Sequence, residues 1–136
     1  EPTIFLLADY GFPSQGNVYI TNSTTLAKNQ DALGRWTKAT AAGWDNFLQD
    51  PTAAAKWIID NKIVDGLDLD QQTAQANGQA PLIADDFTKQ HGLLYLDMDS
   101  WQAAAKEVVA QKRTDKAPDL NSVLTFTVLD QVYPKR

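Results

Sequence analysis

A polar and aromatic turn near the N-terminus carries the side chains best suited to hold a small solute. Tyr10 and Phe12 can stack on a planar group, and the amides of Gln15 and Asn17 can donate and accept hydrogen bonds. These residues, with Tyr19 just beyond them, lie outside every predicted helical stripe, on a loop that joins two predicted strands. The sequence therefore predicts either a solute-binding loop or a turn whose side chains only pack against the protein itself.

Catalytic constellations are weaker in this chain. His91, the one histidine, lies beside Gly92 at a predicted helix end, where an exposed or capping histidine is the usual outcome. The lack of cysteine excludes thiol catalysis, disulfides and cysteine-based metal sites, so we expect no metal. No serine lies in a Gly-x-Ser-x-Gly sequence, and Asn17 stands where a phosphate loop spanning Gly11 and Gly16 would need lysine. We therefore predict a protein that is not an enzyme and needs no cofactor.

The paired carboxylates are interpreted as helix caps or solvated surface. Asp97 and Asp99 flank a predicted helix start, where a carboxylate commonly caps the backbone. Asp85 and Asp86 are consecutive, so their side chains diverge on a helix and do not form a catalytic pair.

Two short strands and a series of helices are predicted to position the turn. Residues 3–8 are nearly all apolar, which is typical of a strand buried on both faces, and residues 18–20 form a second short run. A long helix is predicted after Asn29, and another at Asp50-Pro51, where a capping acceptor precedes a proline in the first helical position. For residues 123–132, helix and strand both stay open.

The buried helix faces are predicted from apolar spacing. On the long helix the face is expected to run through Leu33, Trp36, Thr40, Gly43, Trp44 and Phe47. Gly43 is expected to allow close approach of a neighbouring backbone, because glycine in a helix otherwise costs about 1 kcal/mol. We expect Trp57 and Trp101 to pack in the core as well, and a polar helix over residues 68–76 to end near Gly78 and Pro81.

Composition limits the partners of the chain. Its 136 residues, with 43% hydrophobic residues, are enough for one domain with a core. The 12 basic residues are outnumbered by 17 acidic ones, giving a net charge of -5 with no basic run, so no nucleic-acid partner is expected. No apolar run approaches the roughly 20 residues that cross a bilayer, and no signal peptide is recognised at Glu1.

Several motifs together resemble a known family. The turn Tyr10-Gly11-Phe12-Pro13 is followed by Gly16–Asn22, then by Ala39–Trp44, and then by Asp50–Ala54. In this order and spacing the chain is similar to the extracytoplasmic solute-binding proteins of ABC importers. It most resembles the branch that binds nitrate, sulfonates, taurine and thiamine pyrimidine precursors.

The resemblance implies an α/β fold, part of the type II-like, two-lobed fold of periplasmic binding proteins. This chain would be the C-terminal portion of such a protein, mostly helical with two or three short strands. Residues 1–22 would supply a late strand, the hinge crossover and a return strand, and residues 23–136 a predominantly helical part of a lobe.

The resemblance also implies a site and a function. Asp9, Tyr10 and Gly11 would lie near the hinge and cleft, and with Gln15 and Asn17 they are the predicted ligand-binding residues. The function would be non-catalytic binding of a small solute and its delivery to a membrane ABC permease, from the periplasm or from a lipid anchor. We expect this portion alone to bind solute weakly or not at all, and to self-associate through the unpaired edge of its first strand.

Two other functions stay open. Some relatives with the same fold synthesise the thiamine pyrimidine with iron and a histidine, often with a cysteine-rich motif; zero cysteines and a helix-end His91 argue against that enzyme. The other is a helical protein-interaction module, which would place the functional surface on helix faces rather than at the Tyr10 turn.

Overall fold

All regular secondary structure that the structure describes is helical. The structure is a computed structural model that describes residues 3, 5, 7–10 and 16–133. A 3-10 turn at Leu7–Tyr10 comes first. The α-helices are α1 Ser23–Lys28, α2 Gln30–Gln49, α3 Pro51–Asp60, α4 Leu69–Ile83, α5 Asp86–His91, α6 Met98–Ala110, α7 Leu120–Val123 and α8 Leu129–Val132.

The α/β fold class predicted from the sequence is wrong, because the described residues contain no strand and no two-lobed α/β architecture. Thr3 and Phe5 are exposed without regular structure, and a 3-10 turn replaces the predicted strand end. Residues 18–21 are also exposed and irregular. A strand must hydrogen-bond to a neighbouring strand, whereas a helix satisfies its own backbone, so an apolar run needs a partner to become a strand. Self-association through an unpaired strand edge therefore has no basis in the described residues.

The described residues fall into two compact units, each built from two segments of chain. The first unit joins residues up to 28 with residues 96–127, and so contains α1, α6 and α7. The second unit joins residues 29–95 with those after 127, and contains α2 to α5 and α8. The division at residue 22 that the resemblance implied stays a prediction.

Helix α2 buries a face that differs from the predicted one by one residue. Its buried residues are Gly34, Thr37 and Ala41, while Trp36 is 49% exposed and Gly43 is exposed. Nothing lies within 4 Å of a Cβ built on Gly43, so the expected backbone approach there is wrong. Gly34 is the crowded position instead. A Cβ there would lie 2.5 Å from Gln131 Oε1, which agrees with the packing of α2 against α8.

Helices α3 and α4 form the most extensive helix pair in the described residues. Asp50 caps α3 as predicted, accepting a hydrogen bond from the Ala53 amide at 2.9 Å, with Pro51 in the first turn. The buried residue of α3 is Ala55 and that of α4 is Ala76. Trp57 is 59% exposed, so the expectation that it packs in the core is wrong.

Helix α4 continues past its predicted end. It passes Gly78 and carries Pro81 within its last turn before ending at Ile83. The amide of Ala84 donates to the Ala80 carbonyl at 3.3 Å, so backbone bonding continues past the proline. Because Pro81 has no amide hydrogen, the helix loses one hydrogen bond, but it loses it in the last turn, close to carbonyls that have no partner within the helix in any case.

The remaining helix boundaries follow local capping. Asp85 forms a capping box with Thr88 at the start of α5, and Gly92 ends that helix with φ 103°. Asp97 rather than Asp99 caps α6. The segment left open between helix and strand, residues 123–132, begins with the last residue of α7, continues as irregular backbone and ends as α8. Within the described residues, no helix has the length and apolar character needed to cross a membrane.

Candidate functional site

The predicted solute-binding turn is described at three of its five residues. Asp9 and Tyr10 lie in the 3-10 turn and Asn17 in irregular backbone, and all three are exposed. Gly11 and Gln15 lie outside the described residues, so the structure says nothing of their part in the site. Asp9 and Tyr10 are together by sequence, and no hydrogen bond in the described residues joins either of them to Asn17.

Tyr10 has one described aromatic neighbour. Its ring centroid lies 6.2 Å from that of Phe5, with the planes tilted by 48°, and Tyr10 itself is 71% exposed. That spacing is typical of a favourable aromatic pair, which holds the Tyr10 ring while leaving most of its surface accessible. Nothing in the sequence indicated that Phe5 lies beside Tyr10, because an apolar run that looks like a buried strand gives no signal for an exposed aromatic group.

The polar groups at the turn are available for new hydrogen bonds. Within the described residues, the side chains of Asp9 and Asn17 make no hydrogen bond or ion pair. A carboxylate, a phenol and an amide can together accept and donate bonds to a polar solute. The arrangement can therefore hold a ligand by stacking and hydrogen bonding, and none of the turn residues that the structure describes is a nucleophile paired with a base.

His91 belongs to a row of aromatic side chains in the second unit. Its ring centroid lies 4.4 Å from that of Phe87 and 5.9 Å from that of Tyr95. The Tyr95 hydroxyl donates to Asp130 Oδ1 at 3.2 Å, which ties the segment after α5 to α8. His91 is exposed at a helix end, as predicted, and the described residues contain no group of three ligands that could hold a metal ion.

Two tyrosines of the second unit have pKa values that the fold raises. Burial, followed by the hydrogen bond and charge of Asp130, raises the pKa of Tyr95. Burial and the charge of Asp45 raise the pKa of Tyr133, while a hydrogen bond to the backbone of Leu93 acts in the opposite direction. Both shifts favour the neutral phenol, so these groups act as structural hydrogen-bond partners rather than as bases.

The first unit contains a cleft that the sequence did not predict. Its volume is about 260 Å³. It is lined by residues of α6, of the loop that leads into α7 and of the first turn of α7: Met98, Gln102, Ala105, Lys106, Ala117, Pro118, Asp119, Leu120 and Asn121. The α6 residues recur at intervals of four, three and one, so they share one helix face, but that pattern does not show which loop covers it.

A comparison with protein families finds a match over the N-terminal part of the chain, which includes the turn. Residues 1–54 match the family model described as NMT1/THI5 like. The NMT1/THI5-like segment contains all five predicted ligand-binding residues, and it also holds α1, α2 and the first turn of α3. The match confirms the resemblance to the superfamily of sulfonate, nitrate and thiamine-precursor binders over this segment. No curated protein and no solved structure matches the chain.

Proposed function

We propose that this chain serves in the non-catalytic binding of a small solute for delivery to an ABC importer. The solute class is nitrate, a sulfonate such as taurine, or a thiamine pyrimidine precursor. The observation that carries the proposal is the NMT1/THI5-like match over residues 1–54, since it includes the whole polar and aromatic turn. The proposed location is outside the cytoplasm, and the proposed partner is the membrane permease of the importer.

The exposed turn supports binding rather than catalysis. Tyr10 offers a ring face, and Asp9 and Asn17 offer polar groups that are not engaged elsewhere in the described residues. Gly11 and Gln15 are assigned to the same site from the sequence alone. The related pyrimidine-synthesising enzymes make a weaker proposal, because this chain has no cysteine and its single histidine lies in an aromatic row in the second unit.

A solute panel tests this function. The purified chain is titrated with nitrate, taurine, methanesulfonate and a hydroxymethylpyrimidine, and the melting temperature and heat of binding are measured. We expect one of the four to raise the melting temperature at millimolar concentration, because a ligand that binds only the folded state stabilises it. No effect from any of them would contradict the proposal.

Site variants connect that binding to the turn. We expect Tyr10→Ala to weaken it by up to about tenfold, because loss of an aromatic contact is worth roughly 0.5–1.5 kcal/mol. Asn17→Ala is expected to weaken it several-fold through the lost hydrogen bonds, with unchanged melting of the free protein. Trp57→Ala is the matched control, since Trp57 is an exposed aromatic residue outside the matched segment.

A helical interaction module is the second candidate, and one observation favours it. Trp36 and Trp57, expected in the core, are 49% and 59% exposed on α2 and α3. If Tyr10→Ala and Asn17→Ala leave solute binding unchanged, the result favours a function at these helix faces rather than at the turn. Loss of binding in the turn variants with full retention in Trp57→Ala excludes the module as the explanation.

A further inference from the structure

From the cleft in the first unit we infer a second binding site, for a small zwitterion with an apolar body such as an aliphatic amino acid. The cleft lies between α6 and residues 117–121, which run from the loop into α7. It is outside the NMT1/THI5-like segment, and its assignment does not depend on the proposed function. Its volume of about 260 Å³ is slightly below the roughly 300–1,000 Å³ of drug-sized pockets, so it suits a smaller molecule.

Opposite charges line the cleft without neutralising each other. Lys106 and Asp119 are both lining residues, and no ion pair within 4 Å joins them or engages either of them in the described residues. A lysine ammonium group can donate three hydrogen bonds, and an ionised carboxylate only accepts them. A ligand that carries an acidic group toward Lys106 and an ammonium group toward Asp119 satisfies both.

The carboxylate of Asp119 is held in place before any ligand arrives. It caps α7, with Oδ1 accepting a hydrogen bond from the amide of Asn121 at 3.1 Å. Its second oxygen remains free for a cationic group. A fixed side chain loses less conformational entropy on binding, which favours Asp119 as the anchor of the site.

The rest of the lining accounts for the apolar body of the ligand. Met98, Ala105, Pro118 and Leu120 supply apolar walls, and Leu120 is only 9% exposed. The net charge of the chain, -5, opposes the approach of a simple anion to Lys106. A zwitterion has no net charge and avoids that repulsion, which is why we assign this class rather than a carboxylate or a sulfonate alone.

Nuclear magnetic resonance on the full chain tests the site, with L-leucine as the probe. We expect the amide signals of residues 98–106, 117 and 119–121 to shift and saturate with a dissociation constant of about 1 mM; Pro118 has no amide proton to report. Trp101, on α6, gives a separate reporter, because its buried indole N–H has no hydrogen-bond partner and the other three tryptophans lie in residues 29–95. Leucinamide and 4-methylpentanoate, which each carry one of the two charges, are expected to bind at least about threefold more weakly.

Variants separate the two charges without disturbing the fold. Asp119→Asn keeps a good helix cap and removes the charge, and Lys106→Met keeps a long side chain on α6. Each is expected to weaken leucine binding by about threefold or more, with unchanged circular dichroism. Lys116→Met is the matched control, because Lys116 lies next to the loop but does not line the cleft.

Any one of the following results would overturn the inference: no saturable shift with leucine, an affinity for either singly charged analogue equal to that for leucine, or unchanged affinity in both cleft variants. A loss of binding in Lys116→Met as large as in Lys106→Met would also overturn it, since general charge attraction would then explain the effect. Retained leucine binding in Tyr10→Ala separates this site from the turn.

Discussion

Gly92 has a backbone conformation that other residues rarely adopt. Its φ is 103°, and a Cβ built there would lie 2.5 Å from Cε1 of Tyr133. Gly66 also has positive φ, 78°, but nothing lies within 4 Å of its Cβ position. The two glycines therefore share a positive φ, and only Gly92 combines it with crowding by a neighbouring side chain.

Gly92→Ala is expected to destabilise the chain more than Gly66→Ala. Both alanines meet a backbone with positive φ, which residues other than glycine rarely adopt. At position 92 the angles, φ 103° and ψ 152°, fall in a region that is essentially restricted to glycine, and the new Cβ also meets the Tyr133 ring. Urea unfolding measures the two changes in the free energy of unfolding. Equal losses would mean that the Tyr133 ring moves aside at no cost.

Tyr95 and Tyr133 make stability depend on alkaline pH. Their pKa values are raised in the folded state above the ordinary 10.0, so the folded chain holds these protons more tightly than the unfolded chain. Their stabilising contribution is fully present below the ordinary value and is lost as pH rises through the raised pKa. We expect the melting temperature to fall from about pH 10 upward, where these groups begin to ionise.

Tyr95→Phe and Asp130→Asn test this origin. Tyr95→Phe is expected to lower stability by about 1 kcal/mol at neutral pH, because it removes the hydrogen bond to Asp130, and to reduce the alkaline loss. Asp130→Asn keeps an acceptor but removes the charge, so its alkaline loss is also smaller than that of the native chain. Thermal melts by circular dichroism at a series of pH values give both quantities; an unchanged alkaline loss in both variants would exclude this tyrosine as its source.

At the scale of helices, the N-terminal backbone amides differ in whether a capping side chain accepts their hydrogen bonds. Asp50 accepts the Ala53 amide, whereas Asn29, at the equivalent position of α2, makes no capping hydrogen bond. Exposed ion pairs one turn apart, such as Lys56–Asp60, add little because water screens them. Caps therefore contribute more than surface charges to where these helices begin.

Asp50→Ala is expected to destabilise the chain by about 1 kcal/mol, because it leaves the Ala53 amide without its capping partner. Asn29→Ala is the matched control and is expected to change stability by much less, since no side-chain bond is lost there. Chemical denaturation compares the two, and similar losses would contradict the capping assignment.

Gly43→Ala is expected to stabilise the chain by up to about 1 kcal/mol, because alanine favours a helix and nothing lies within 4 Å of the new Cβ. Gly34→Ala serves for comparison. Its Cβ would lie 2.5 Å from Gln131 Oε1, so we expect a smaller gain in stability than for Gly43→Ala. Thermal melting ranks the variants. If Gly43→Ala destabilised the chain instead, a neighbouring group would have to lie close to Gly43, as expected from the sequence.

For the whole molecule, few apolar side chains of the described residues are buried, and none of them is fully buried. The buried hydrophobic residues are Ala41, Ala55, Ala76, Leu93, Leu120 and Leu129. Large apolar side chains such as Ile20, at 91% exposed, and Trp57 lie outside it. Since burial of large side chains supplies most of the hydrophobic stabilisation, the described part of the chain has little reserve.

The chain is therefore expected to bind the dye 8-anilinonaphthalene-1-sulfonate under native conditions, because the dye reports exposed apolar surface. Fluorescence enhancement by the folded chain measures it, and Trp57→Ser is expected to lower the signal. Lys56→Ser is the control on the neighbouring, charged position. An absence of enhancement would mean that the exposed apolar side chains are covered in solution.

The sequence by itself determined the helix boundaries that local hydrogen bonds control. Asp50-Pro51 begins α3 and Gly92 ends α5, because a cap bonds to residues only two to four positions away. The sequence narrows the start of α6 to Asp97 or Asp99, and the structure shows that Asp97 is the cap. The sequence also pointed to the turn at Tyr10 as a candidate site, through side-chain types alone. These conclusions need no knowledge of distant segments.

Only the tertiary structure decided which surfaces are buried and which segments meet. The strands failed because no partner strand lies beside them in the described residues, and the exposure of Trp36 and Trp57 depends on what packs against α2 and α3. The cleft brings Lys106 and Asp119 together from separate elements. Such contacts join residues far apart in the chain, so periodicity along one segment cannot specify them.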